Sequence, residues 1–238
     1  LNGVIPTSAE TKAFLDDRQA DKRSRAIDAL LARPEYALHM ARVFDVILAE
    51  RRLPAVKSYD VAATAWRGYL AESFAANKPW DVMAREILAS DGSDESQPGA
   101  VKFYIARDAE PHQLTRDVAR VFLGTDLQCA QCHDDPRFDD YKQADYFGIY
   151  AFVSRLSFFR DSKLNRSFVG EKAVGDVTFT SVFTTKQGKT DPRLPGGKMI
   201  ADPKLEKGKE YLMAPSNSAR GVPVYSRRKQ LAEQMPRA

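Results

Sequence analysis

The sequence predicts a mainly α fold: a multi-helix domain with a small antiparallel β excursion in its C-terminal third. Apolar residues recur at helical spacing through most of residues 1–160, whereas strand-like alternation is confined to residues 174–184. With 43% hydrophobic and 29% charged residues, the chain has an ordinary globular composition and enough apolar material for a core. We predict a helical domain over 1–160, a hairpin and loop excursion of that domain over 161–205, and a tail or linker toward a further domain over 206–238.

The first three helices are predicted from the residues that start them. Residues 7–10 have the capping-box spacing, a threonine followed three residues later by a glutamate. Asp21 is placed to cap a second helix, and Pro34 suits the first turn of a third. The third helix carries a broad apolar stripe and is predicted to end at Leu53 and Pro54.

Four further helical segments follow. One begins at Ser58 and ends at the Asn-Lys-Pro break of residues 77–79, and the next covers residues 80–88. A third begins near Gln113 and leads into the segment that contains both cysteines. Residues 138–159 are far richer in aromatic side chains than the 10% of the whole chain, which predicts an aromatic helix in the core.

The character of the chain changes after Arg160. Residues 174–184 alternate between apolar and polar side chains, and residues 186–189 have the composition of a turn. We therefore predict a small antiparallel hairpin here. The remaining residues, 206–238, are polar and basic, with a short helical segment predicted at 226–231.

Charge and hydropathy argue against two classes of function. The net charge is +4, but basic and acidic residues are interspersed, without the clustered basic face expected of a nucleic-acid-binding protein. No apolar run approaches the roughly 18 residues that span a bilayer, so we predict no direct membrane span. The first residues lack a signal-peptide pattern and begin with Leu1, so we expect a processed or partial product.

The strongest functional signal is the segment Cys129-Ala130-Gln131-Cys132-His133, which contains both cysteines and one of the three histidines. Two cysteines separated by two residues and followed by histidine are the attachment signature of c-type haem. On one helical turn the two thiols reach the two vinyl groups of a porphyrin, and the next imidazole points at the iron. We predict one covalent haem c, with thioethers at Cys129 and Cys132 and with His133 as proximal iron ligand. Such haem is attached outside the cytoplasmic membrane, so a periplasmic or otherwise extracytoplasmic location follows.

The sequence leaves the opposite side of the iron open. The distal candidates are two histidines and four methionines, or no protein ligand at all: His39, His112, Met40, Met83, Met199 and Met213. A Met/His pair raises the reduction potential relative to two histidines, whereas an open position allows small-ligand binding or peroxide chemistry. Because no paired carboxylates, nucleophile triad or phosphate loop is found elsewhere, electron transfer to a redox protein partner, within a larger assembly, is favoured over a stand-alone enzyme.

Two alternatives to haem are kept. Cys129, Cys132 and His133 form a zinc site if Asp135 or His112 supplies the fourth ligand, although adjacent Cys132 and His133 make a tetrahedral cage awkward. In the other alternative the chain is a structural or interaction module, and its cysteines form a disulfide or remain free thiols.

Segments along most of the chain resemble a known bacterial family. The matching residues are 3–7, 14–15, 28–36, 40–42, 77–81, 85–88, 121–124, 129–134, 145–148, 151–152, 194–197 and 227–232. On these segments the chain resembles the second planctomycete-type cytochrome domain family, a bacterial domain of unknown function that carries a CxxCH motif and often lies beside a cytochrome c domain. The resemblance covers roughly residues 1–235, and its most specific match runs from Val121 to Asp134.

Three positions depart from the pattern of that family. The family usually has histidine where this chain has Asp135, and Arg137 resembles an insertion. In the third predicted helix, Val43 stands where the family tends to carry a histidine. If those family histidines bind a metal, the role is lost or displaced in this chain.

Overall fold

The computed structural model describes residues 1–50 and 63–235, so the helix end predicted at Leu53 and Pro54 and the helix start predicted at Ser58 lie outside the described residues. The helices of the described part are α1 (Ser8–Asp16), α2 (Lys22–Leu31), α3 (Pro34–Ala49), α4 (Ala63–Ala75), α5 (Trp80–Ala89), α6 (Lys102–Ile105), α7 (Pro111–Phe122), α8 (Gln143–Val153) and α9 (Arg227–Gln234), with a 3₁₀ turn at Cys129–Gln131. The strands are β1 (Leu156–Asp161), β2 (Arg166–Glu171), β3 (Val177–Thr180), β4 (Gln187–Thr190), β5 (Tyr211–Met213) and β6 (Val222–Pro223). The mainly α fold with small antiparallel sheets is confirmed.

One hydrophobic core joins α3 to α9, and α8 lies within it. Most residues of α8 are buried, and α7, α9 and the 3₁₀ turn all pack against this helix. A helix that is apolar around its circumference is expected to be enclosed in this way. By contrast, α1 and α2 contribute no buried residue and lie at the periphery. Among the described helices, none has the length and apolar character that a membrane crossing requires.

Two of the three predicted helix starts are found as expected. Before α1, the Thr7 side chain accepts a hydrogen bond from the Glu10 main chain at 3.2 Å, while Glu10 accepts one from the Thr7 N–H at 2.7 Å. Pro34 is the first residue of α3. Asp21 does precede α2, but its side chain makes no capping bond. Its carboxylate instead accepts a hydrogen bond from Arg25 at 3.1 Å.

The hairpin predicted in the C-terminal third exists, but its turn was placed wrongly. Strand β3 pairs antiparallel with β4, with Val177 opposite Thr190. The predicted turn at residues 186–189 lies largely within β4, and the connection is instead formed by residues 181–186. The alternation of apolar and polar residues stops at Ser181, the first residue after β3.

The aromatic segment 138–159 was predicted as one helix, and this was wrong for its two ends. Helix α8 accounts for residues 143–153, whereas Phe158 and Phe159 lie on β1. Strand β1 pairs with β2 in a second hairpin, in which Phe159 stands opposite Phe168. The sequence analysis did not predict this hairpin. Strand β1 follows α8 after a short connection, so its aromatic residues were included in the predicted helix.

The predicted tail of residues 206–238 contains a helix that belongs to the core. Helix α9 packs against α5 and α8, and Leu231 is fully buried. Its first turn is held by the buried carboxylate of Glu171, which accepts a hydrogen bond from the Arg227 main chain at 2.7 Å and one from the Ser226 hydroxyl at 2.5 Å. The Arg227 guanidinium, 2% exposed, pairs with Asp202 at 2.8 Å. Polar composition suggested a tail, but these charges are paired inside the fold.

A buried ion pair links three helices of the core. The Arg107 guanidinium, which follows α6, lies 2.6 Å from the Asp117 carboxylate on α7, and both side chains are almost fully enclosed. Arg107 also donates to the main-chain oxygens of Phe103 and Leu48, each at 2.9 Å. The Leu48 bond ties α3 to the same centre. Removing one partner of such a pair is strongly destabilising, because the other charge stays buried.

Replacing Arg107 with methionine is expected to lower the free energy of unfolding by about 3–5 kcal/mol, because Asp117 loses its buried partner and two main-chain oxygens lose their donors. Denaturant unfolding followed by circular dichroism measures the change. The control is Lys189→Met, which removes an exposed pair with Asp176 and should leave stability nearly unchanged. Equal losses in both variants would contradict a special role for the buried pair.

Replacing Leu231 with alanine is expected to cost about 2–5 kcal/mol, because the leucine is fully buried in the core between α9 and its neighbours. Thermal unfolding should show the loss as a lower melting temperature. Leu212, which is 75% exposed on β5, provides the matched control, and its replacement by alanine should have little effect. If the two variants melt alike, α9 is not part of the core in solution.

Candidate functional site

The cysteine motif lies on a short turn whose centre is anchored in the core. Helix α7 ends at Phe122, and Gly124, with φ +64°, takes a backbone conformation that favours glycine. Leu127 (1% exposed) and Ala130 (fully buried) then hold the 3₁₀ turn against the core. The cysteines on either side of Ala130 face outward, so both thiols are exposed, and neither is in a disulfide.

The imidazole of His133 is fixed in one orientation. Its Nδ1 lies 2.7 Å from the main-chain oxygen of Asp134. Since a carbonyl oxygen only accepts, Nδ1 must carry the proton, and neutral His133 therefore keeps the lone pair on Nε2. The ring of Phe183 lies against the imidazole, with 4.7 Å between ring centroids. This is the tautomer that a metal-binding histidine needs when it coordinates through Nε2.

The β3–β4 hairpin is attached directly to the motif. The N–H of Val182, in the connection between the strands, donates to the Cys132 main-chain oxygen at 3.1 Å. From the first turn of α8, the Gln143 amide donates to the main-chain oxygens of Gln131 at 3.3 Å and of Thr180 at 3.2 Å. The motif, the hairpin and α8 are therefore held as one unit.

A cleft of about 440 Å³ opens beside His133, between the motif and the hairpin. Phe179 and Phe183 contribute the aromatic part of its lining, with Pro136 and Ala144. Phe183 is 76% exposed, which is unusual for so large an apolar side chain. The cleft thus offers an apolar wall next to an imidazole with a free Nε2 lone pair, an arrangement suited to a flat, apolar metal complex.

Asp135, the residue that replaces a family histidine, is used to shape the loop after the motif. Its side chain is 2% exposed and accepts a hydrogen bond from the Arg137 main chain at 2.8 Å. That hydrogen bond holds the pKa of Asp135 below its usual range, although burial opposes the shift. The main-chain N–H of Asp135 donates to the Tyr141 oxygen at 2.9 Å. The carboxylate that was considered as a zinc ligand is therefore engaged within its own loop.

His112 lies at the start of α7 and is also engaged. Its Nδ1 is 2.9 Å from the Tyr146 hydroxyl, and its ring centroid is 4.6 Å from that of Tyr150. Glu110 caps the helix, accepting hydrogen bonds from the main chains of His112 at 3.0 Å and Gln113 at 2.6 Å. The structure thus places His112 in an aromatic cluster on α8.

The other distal-ligand candidates are spread over several elements. His39 and Met40 lie on α3, as does Val43, where the family tends to carry a histidine. Helix α3 packs against α4 and α6, whereas the motif packs against α8. The imidazole of His39 contacts the N-terminal segment so closely that a side chain at Gly3 would overlap it. Of the candidate methionines outside α3, Met83 is buried in the core, whereas Met199 and Met213 are 61% and 48% exposed.

The side chains that would hold zinc in the alternative prediction are not brought together. In residues 1–50 and 63–235, no group of three or more His, Cys, Asp or Glu side chains is arranged to hold a metal ion. The donor set proposed from the sequence, with Asp135 or His112 as fourth ligand, is therefore not assembled. What the structure does bring together is His133 and the aromatic cleft, with the cysteine pair on the adjoining turn, outside the lining of the cleft.

Three residues of this site were not predicted from the sequence: Gln143, Phe179 and Phe183. Phe179 and Phe183 were assigned to a strand, yet the alternation breaks at Ser181 and is followed by two adjacent apolar residues. That break was a signal for an exposed apolar loop. For Gln143, one polar residue at the start of a helix, the sequence holds no signal of its bridging role.

Comparison with known proteins bears on the family. Searches of the curated proteins and of the solved structures gave no match. The model of one family, described as PSCyt2, Protein of unknown function (DUF1549), matches residues 1–158. This range contains α1 to α8 and the cysteine motif, and it is shorter than the 1–235 over which the sequence resembles the family. Because the match covers more than half of the chain, the chain belongs to the PSCyt2 family of proteins of unknown function (DUF1549).

Proposed function

We propose that the chain is an extracytoplasmic, mono-haem, c-type cytochrome-like protein that transfers electrons to a redox protein partner within a larger assembly. The observation that carries the proposal is the arrangement of the motif. One exposed, free thiol is on the first residue of the 3₁₀ turn and the other is on the residue after it. The next residue is an imidazole whose Nδ1 proton is held by a main-chain oxygen.

The residues present fit a covalently attached haem. Cys129 and Cys132 are accessible for thioether bonds without unfolding of the core. Ala130, which lies between them in the sequence, is the residue that packs into the core. His133 presents Nε2 as the axial donor, and the Asp134 oxygen fixes the ring through the opposite nitrogen. Phe179 and Phe183 provide an apolar wall on one side of the cleft. When bound, haem supplies one-electron redox chemistry at its iron.

The proposal assigns His133 as the protein ligand to the iron and places no second histidine opposite it. His112 lies in the aromatic cluster of α8, with its Nδ1 2.9 Å from the Tyr146 hydroxyl, and His39 lies against Gly3 on a different part of the fold. The extracytoplasmic location is part of the same proposal, because covalent haem attachment takes place outside the cytoplasmic membrane.

The full chain, exported to a bacterial periplasm with an active c-type haem attachment system, is expected to be red and to carry one haem. Its pyridine haemochrome spectrum, the added mass of one haem, and retention of colour after acid–acetone extraction measure covalent attachment. Replacing both Cys129 and Cys132 with alanine should abolish that attachment, because no thiol remains in the chain. His39→Ala should retain it, since this residue lies away from the motif.

Circular dichroism would show that each variant is folded before its haem content is compared. A colourless wild-type protein with stoichiometric zinc would support the zinc alternative, and a colourless, metal-free protein would support a structural module. Haem that stays bound to the doubly substituted chain after acid–acetone treatment would also overturn the assignment.

In the haem-free chain, both thiols are expected to react with a small disulfide reagent while the protein remains folded, because both are exposed and free. Titration should give two equivalents of released chromophore for the wild type and one for Cys129→Ala. A reaction that requires denaturant would show that the thiols are covered in solution. The site would then need to open before a haem could be attached.

A further inference from the structure

The cysteine turn places its two thiols on one side. In a 3₁₀ helix, side chains three residues apart lie one above the other. Cys129 begins the 3₁₀ turn and Cys132 follows its last residue, and the Cys132 N–H donates to the Cys129 main-chain oxygen at 3.3 Å. The two thiols, both exposed and free, therefore stand above one another on the same side of the turn.

The turn is held in this shape by its neighbours. Ala130, between the cysteines, is fully buried. The side-chain oxygen of Gln131 accepts a hydrogen bond from the Arg116 guanidinium at 3.0 Å. The main-chain oxygen of Cys132 accepts one from the Val182 N–H at 3.1 Å. A ligand that needs both sulfurs finds them already positioned, so its binding loses little free energy to ordering of the chain.

Among the described residues, no third His, Cys, Asp or Glu side chain joins the two sulfurs. The imidazole of His133 lines the cleft beside the hairpin, and neither cysteine belongs to that lining. Within 1–50 and 63–235, no three side chains of these types are arranged to hold a metal ion. The sequence contains no cysteine besides these two. The turn is therefore a site with two soft donors.

A pair of thiolates without further ligands discriminates among metal ions. Structural zinc takes four protein ligands and catalytic zinc takes three with a water, while iron–sulfur clusters take four cysteines. Ca²⁺ and Mg²⁺ require oxygen donors. Cu(I) is a soft ion that prefers thiolates, and its filled d shell allows linear coordination by two of them. Of these ions, Cu(I) is the one that the turn fits.

We propose that in the haem-free chain the cysteine turn is a Cu(I) site, with the sulfurs of Cys129 and Cys132 as its two ligands. On binding, each S–H bond breaks and its proton goes to solvent, two Cu–S bonds form, and the metal stays Cu(I). The site needs only the free thiols, so it does not rest on the proposed function. Because the same sulfurs cannot hold copper and haem together, bound copper blocks haem attachment.

The test titrates the reduced, haem-free full chain with Cu(I), without oxygen, against bicinchoninate, a chelator that is coloured when it holds Cu(I). The chain is expected to remove one copper from the chelator. Cys129→Ala and Cys132→Ala should each weaken binding by about a hundredfold or more, because a single sulfur loses the effective concentration of the second. Size-exclusion chromatography should show no change in size on copper binding. One copper shared between two chains overturns the site.

His133→Gln is the matched control. This imidazole is next to Cys132 in the sequence, yet its loss should leave the affinity for Cu(I) unchanged. A loss as large as that of the cysteine variants overturns coordination by two sulfurs alone. Circular dichroism shows that each variant is folded before affinities are compared.

The wild-type chain unfolded in urea keeps both cysteines but loses the turn. It should bind Cu(I) about tenfold more weakly than the folded chain, because the sulfurs are no longer positioned. Equal affinities, or displacement of the copper by excess Zn²⁺, overturn the proposal. Haem takes no part in these titrations. A chain that is colourless in the haemochrome test can still bind Cu(I), and a chain that does not bind Cu(I) can still carry haem, so the two outcomes are separate.

Discussion

Burial of α8 is the constraint on which the rest of the structure depends. A helix with apolar residues around its circumference is stable only when several neighbours enclose it. Here α7, α9, the 3₁₀ turn of the motif and the β3–β4 hairpin do so. Where Arg193 crosses the helix, Gly148 leaves room for it: a Cβ there would lie 2.6 Å from the arginine side chain. Because these neighbours come from distant parts of the sequence, α8 gathers the motif and the C-terminal helix into one core.

The helical part of the fold was predictable because its signals are local. The capping box of Thr7 and Glu10 and the proline that begins α3 act within a few residues, and both were found where expected. The role of α9 was not predictable in this way. Glu171 lies 56 residues before the main-chain N–H that it accepts from, and Asp202 lies 25 residues before Arg227. Partners so far apart leave no pattern in a short window of sequence, so polar composition alone suggested a tail.

The candidate site likewise has a part that could be predicted from the sequence and a part that could not. The cysteine pair and His133 are contiguous, so the short-range chemistry of a CxxCH segment is recognisable in the sequence itself. The wall of the cleft comes from a hairpin that begins more than forty residues later, and the Gln143 bridge depends on tertiary contact. The family match shows common ancestry but no activity, so the proposed function depends on geometry: exposed thiols and an imidazole held in one tautomer beside an aromatic cleft.

The position of α9 at the far end of the described chain has a consequence for biogenesis. Contacts between segments far apart in sequence form late, because closing a long loop costs entropy before the contacts repay it. The core around α8 therefore stays incomplete until α9 has emerged, well after the motif. Under the proposed function, which requires export, the two thiols would reach the far side of the membrane ahead of α9. That interval would give an attachment enzyme access to an unhindered motif, and α9 would then complete the core.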